Sequence, residues 1–140
     1  MTINQISVFL ENKAGRLADV AETLASAGIN IRAMTIADTA DFGILRIIVN
    51  NYEEASKVLE ANHFTTRITP VLGIEVDDEP GGLNKIIKLF KENNVNIEYL
   101  YVSLVKKDSK AVGIFKVDNV DRSLKIIKEN SLVTVSENEL

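Results

Sequence analysis

The chain repeats itself. "KAGRL" at residues 13–17 and "EPGGL" at residues 79–83 align Gly15 and Leu17 with Gly81 and Leu83 at an offset of 66. The same offset carries Val20, Leu24, Ile29, Asn30 and Ile31 onto Ile86, Phe90, Val95, Asn96 and Ile97. Beyond the next strand the offset becomes 68, pairing Val49 with Val117, Val58 with Ile126 and Asn62 with Asn130. A fixed period of this length marks a duplicated structural unit. The two extra residues fall in the polar stretch "VKKDSKAVG", where added loop length costs little. The sequence therefore divides near Pro70 into residues 1–69 and 70–140.

Periodicity gives the element order within each copy. Ile6, Val8 and Leu10 alternate with polar residues, as do Leu72, Ile74 and Val76, the pattern of a strand with one buried face. Leu17, Val20, Ala21 and Leu24, and again Leu83, Ile86, Ile87 and Phe90, fall at helical spacing and predict a helix with one apolar stripe. Two strands around a polar turn follow, then a second helix in "YEEASKVLEAN" and "NVDRSLKIIKEN", then a short closing strand in "TTRIT" and "LVTVS". The order β-α-β-β-α-β, twice, is the ferredoxin-like plan. It predicts an α+β fold of two tandem domains, each an antiparallel four-stranded sheet with helices on one face. A unit this small buries little by itself and leaves a sheet edge open, so the copies are expected to complete each other or a second chain.

That plan hosts many functions, so the side chains must discriminate among them. Sixteen basic against twenty acidic residues leave a net charge of −4, which offers nucleic acid no general attraction. The central strands lack the aromatic platform of an RNA reader, with Phe115 the sole candidate in "VGIFKV". The absence of cysteine removes disulfides, thiolate metal sites and thiol catalysis. With no long apolar run and no leader pattern at "MTINQISVF", a cytoplasmic protein without a membrane segment is expected. His63, in "EANHFT", reads as a helix-end residue rather than a general base. Asp38 and Asp41 bracket the turn "ADTAD" and read as turn formers before a carboxylate pair. Asp77, Asp78 and Glu79 read as a solvated loop before a cation site.

The two glycine turns remain. Each joins a strand to a helix N-terminus, whose unpaired amides suit an anion such as a carboxylate. Pro80 is expected in the first helical turn, leaving Gly81 and Gly82 where a small ligand can approach the backbone.

The stretch "LENKAGRLADVAETLASAGINI", the element order and the tandem copy together resemble the ACT domain, a small regulatory module that binds amino acids. The chain is most similar to stand-alone proteins of two ACT domains with no enzyme domain. The resemblance covers the whole chain, is strong over residues 3–50 and is weaker in the second copy. It implies domain 1 at 1–69 and domain 2 at 70–140. It also implies an amino acid held between the first loop of one domain and the start of the second strand of its partner. Asn12 and Gly15 would then carry the ligand contacts, with Ala14, Arg16 and Leu17 lining the loop and Asn96 and Ile97 completing the site. A second candidate site would use Asp78, Gly81, Gly82 and Leu83 with Asn30 and Ile31. Asp78 replaces the asparagine of the first copy, and a carboxylate there would repel a ligand carboxylate, so that site is expected to be altered or silent.

The expected function is an amino-acid-binding regulatory protein, not an enzyme, without cofactor or metal. Expected partners are a free amino acid, a second copy of the chain as a homodimer, and a regulated enzyme or transporter, with no nucleic acid or membrane. The alternative is an interaction module whose glycines only turn the chain. An acylphosphatase-like hydrolase would need a phosphate-cradling arginine in the loop; Arg16 offers one, but the second copy has Gly82 there.

Overall fold

The computed structural model describes residues 1–38, 41–105 and 110–140. The chain forms two compact units, one of Asn4–Thr69 and one of Pro70–Leu140 together with Met1–Ile3. Among the described residues no helix is long and apolar enough to cross a membrane.

In the first unit, β1 (Ile3–Glu11) turns into α1 (Arg16–Ser26). A hairpin of β2 (Ile31–Asp38) and β3 (Phe42–Val49) follows, and α2 (Tyr52–Ala61) leads into β4 (Thr65–Asp77). The strands follow the order β2-β3-β1-β4. Antiparallel register sets Ile6 opposite Ile47, Val8 opposite Leu45 and Leu10 opposite Gly43. These positions share one sheet face, and Ile6, Val8, Leu10, Leu45 and Ile47 pack with Val20, Leu24, Ala55, Leu59 and Phe64 into a mostly aliphatic core. The α1 stripe is narrower than its spacing suggests: Val20 and Leu24 are buried, whereas Leu17 and Ala21 are exposed. Nor are the alternating polar residues of β1 all solvated. Gln5 and Ser7 are buried, and the Gln5 amide donates to the Ser7 hydroxyl at 3.3 Å, which offsets part of the cost of burying both.

The second unit continues from β4 through α3 (Gly82–Glu92), β5 (Ile97–Val105), β6 (Lys110–Val117) and α4 (Val120–Glu129). Its strand order is β4-β6-β5. Its core repeats the first in aromatic form, with Phe90 and Phe115 in edge-to-face contact at 5.7 Å among Leu72, Ile74, Ile86 and Ile126. The duplication extends to the caps. Asn51 and Asn119 each accept the N3 amide of the following helix, from Glu54 and Arg122. Gly28 and Asn94, and likewise His63 and Ser131, take positive φ just past helix ends. His63 is thus a helix-terminating residue, as its place after "LEAN" suggests.

Two closing strands differ from expectation. "TTRIT" is not a separate short strand but the start of the thirteen-residue β4, which runs through Pro70. Pro70 is exposed, where its missing donor is tolerated. "LVTVS" contributes only a bridge between Ile74 and Thr134, with the Glu75 amide on the Val133 carbonyl and the Val135 amide on that of Gly73. Ser136 ends it by starting a short 3₁₀ turn, η1 (Glu137–Glu139), through a capping box with Glu139. The turn residues 39 and 40, the Asp38 side chain and most of the polar insertion, residues 106–109, lie outside the described residues. So, therefore, does the suggested Asp38–Asp41 carboxylate pair.

Candidate functional site

The first loop is held by its own backbone. The Asn12 amide donates to the Asp41 carbonyl at 2.9 Å, tying the loop to the hairpin, and the Lys13 amide donates to the Glu11 carbonyl at 2.9 Å. Gly15 follows at φ 91°, in the left-handed region, and serves as N-cap of α1. Its carbonyl accepts the first helical bond, from the Asp19 amide at 2.9 Å, but it supplies no capping side chain. The Arg16 amide returns to the Lys13 carbonyl at 3.4 Å, and the next amides of α1 meet no side-chain cap, a setting that favours an anion.

Beneath the loop lies a cleft of about 320 Å³. Leu10, Leu17, Ile36 and Ala37 give it aliphatic walls, Gly43 lies in its floor, and Asn12 and Arg16 supply polar groups. Its charges are already engaged. Glu11 pairs with Lys13 at 3.0 Å, and that lysine holds the carboxyl below its usual range. Arg16 pairs with Asp19 at 3.1 Å and lies over the Phe64 ring at 4.8 Å. Of the predicted first-site residues, Asn12, Arg16 and Leu17 line this cleft, while Ala14 and Gly15 are exposed on the loop above. Ile36, Ala37 and Gly43 were not anticipated. Their arrival depends on the Leu10–Gly43 register, which the turn and strand patterns leave open.

Asn96 and Ile97 belong to the second unit, where they line a different cleft of about 460 Å³ with Ile87, Lys91 and Asp118. The Asn96 amide is bonded to the Asp118 carboxylate at 3.1 Å, as the Asn30 amide of the first unit is bonded to the Asn50 side chain at 3.1 Å. The main-chain donors at both β-strand starts are therefore used internally.

The second glycine loop is built differently around the same turn. Gly81, at φ 85°, is the N-cap of α3, so Pro80 precedes the helix instead of entering its first turn; proline could not adopt the glycine's backbone angles. Gly82 is buried, and a Cβ there would overlap the Asp77 carbonyl, so this close approach is occupied by the chain itself. Leu83 is half-buried against the core, and Asp78 is exposed. Asp77 bonds Lys110, which also meets Glu75 at 3.4 Å, while Lys85 bridges Asp77 and Glu79 at 3.6 and 3.7 Å. The acidic run is thus largely neutralised by lysines. Among the described residues no group of three or more acidic or histidine side chains could hold a metal ion.

The description "ACT domain pair" matches residues 1–140. The chain belongs to this family. A Bacteroides thetaiotaomicron protein of known crystal structure is 39% identical to this ACT pair, with 99% of this chain and 95% of that chain covered and a TM-score of 0.92. The acetolactate synthase small subunit of Buchnera aphidicola subsp. Baizongia pistaciae is 26% identical over 116 residues, 82% of this chain and 72% of that protein. The regulatory subunit of aspartate kinase from Thermus thermophilus shares the fold, at a TM-score of 0.65 and 17% identity over 90% of this chain and 91% of that one. Among the described residues, the first glycine loop combines an uncapped helix start with a cleft of aliphatic walls.

Proposed function

We propose that this ACT pair, with residues 1–69 and 70–140 as its two domains, is an amino-acid-binding regulatory protein and not an enzyme. The ligand carboxylate sits at the start of α1. Asn12, Ala14, Gly15, Arg16 and Leu17 form the seat. Bound ligand biases subunit association and thereby the activity of a partner enzyme or transporter. The observation that carries this reading is the cleft under the Gly15 loop, lined by polar Asn12 and Arg16 and by aliphatic Leu10, Leu17, Ile36 and Ala37, beside a helix start with no side-chain cap. The name of one similar protein, a regulatory subunit of aspartate kinase, agrees with a regulatory role, and that of another, a small subunit of acetolactate synthase, agrees with association with an enzyme. The second loop, with Asp78 and a turn closed by its own backbone and lysines, is the silent one.

Calorimetry on Asn12→Ala tests the seat. Losing a hydrogen bond to a charged ligand group weakens binding by about 1.5–3 kcal/mol. Unchanged affinity in the folded variant moves the ligand elsewhere.

One observation favours the interaction-module reading beside it. Phe9 and Phe42 are exposed in the first unit on the sheet face turned away from its core, an apolar surface suited to association. Both readings include a homodimer, and only the first requires a small ligand.

A further inference from the structure

We infer that the first cleft selects amino acids with a small, uncharged aliphatic side chain, and that Gly43 sets the size limit; this rests on reading the first loop as an amino-acid seat. The walls that a ligand side chain would meet are Leu10, Leu17, Ile36 and Ala37, and all but Leu10 are left exposed by the protein itself. Covering them with an aliphatic group removes apolar surface from water. Among the described side chains that line the cleft, a charged ligand side chain would find no free counter-charge, because Glu11 and Lys13 neutralise each other and Arg16 is held by Asp19. Its desolvation would go uncompensated. A cleft of about 320 Å³ stands at the lower end of small-molecule sites, which fits a ligand of this size.

Gly43 bears on the size limit. It is buried opposite Leu10, and a Cβ added there would stand 3.7 Å from the Ile36 side chain and 3.3 Å from the Ala37 carbonyl. A methyl group at this position would thus occupy the floor of the cleft between two of its walls. The second unit contains that methyl group: Ala111, opposite Val76, takes the corresponding place and is buried. The open floor is a property of the first unit.

Calorimetry of the full chain with L-valine, L-leucine, L-aspartate and L-lysine tests this. Valine and leucine are expected to bind at least about tenfold more tightly than aspartate or lysine. Gly43→Ala is expected to weaken leucine about tenfold more than valine, the scale of one methylene in an apolar pocket. Ile36→Ala, at an exposed position on an edge strand, widens the cleft and is expected to shift preference toward leucine. Aspartate or lysine binding as tightly as leucine, and lost in Asn12→Ala, keeps the seat and overturns the aliphatic selection. Equal losses of valine and leucine in folded Gly43→Ala overturn the role of Gly43. Failure of all four to bind overturns the seat itself, and the inference with it.

Discussion

Three glycines do three different jobs in this chain, and their substitutions should separate accordingly. For folding, Gly15 is needed for its backbone angle and not for space: φ is 91° and no protein atom lies within 4 Å of an added Cβ. Gly15→Ala should therefore destabilise by about 1–2 kcal/mol, the cost of the left-handed conformation. Gly82 has ordinary φ but no room, since its Cβ would strike the Asp77 carbonyl, so Gly82→Ala must move the backbone of the second loop. Chemical denaturation should show a larger loss for Gly82→Ala than for Gly81→Ala; equal losses would remove the close-approach account. Gly43 can take a methyl only if the Ala37 carbonyl, 3.3 Å from the added Cβ, gives way slightly, and the methyl then stands beside Ile36 in the cleft. The duplication made Gly15 and Gly81 legible as paired turn residues. It could not distinguish an angular requirement from a steric one, which depends on which carbonyl folds back against the glycine.

Among elements, the second loop and β6 are joined by charge where the first loop encloses a cleft. Lys110 on β6 bonds Asp77 at the end of β4, which holds the Asp77 carboxyl below its usual range and the ammonium above its own. A lowered folded-state pKa stabilises at pH above the unfolded carboxylate value, about 3.9. That contribution is lost as pH falls through the lower folded value. The raised lysine acts oppositely, its contribution being complete below about 10.4 and lost as pH rises beyond. Denaturation of wild type should thus lose more stability below about pH 4 than Asp77→Asn, with a modest difference because the pair is exposed. Parallel pH profiles would show that the network contributes nothing. Strand and helix identities were readable because each core stripe is periodic and each helix is punctuated by Asn, Gly or His. The fusion of "TTRIT" with the next strand was not, because an exposed proline resembles a break until its position in the strand is known. Nor was the reduction of "LVTVS" to one bridge, although Ser136 and Glu139 carry the capping signal that ends it.

At the scale of the whole molecule, the repeat does not coincide with the compact units at their ends. Met1–Ile3 group with Pro70–Leu140, and fully buried Ile3 reaches the position that a Cβ on Gly73 would occupy. Ile3→Ala should accordingly cost about 2–5 kcal/mol, and a fragment of residues 70–140 should be less stable still than the full chain, both read by denaturant midpoint. A fragment as stable as the intact protein would contradict this account of the second unit. Light scattering should give twice the 15.5 kDa chain mass, and a monomer at all concentrations would remove the proposed homodimer. The most direct test of amino-acid binding is the thermal transition of the intact protein against the twenty amino acids. A ligand at 100 times its Kd adds about 2.7 kcal/mol to the folded state. A raised Tm with valine or leucine, abolished in Asn12→Ala, is the predicted result; a transition unmoved by every amino acid would contradict it.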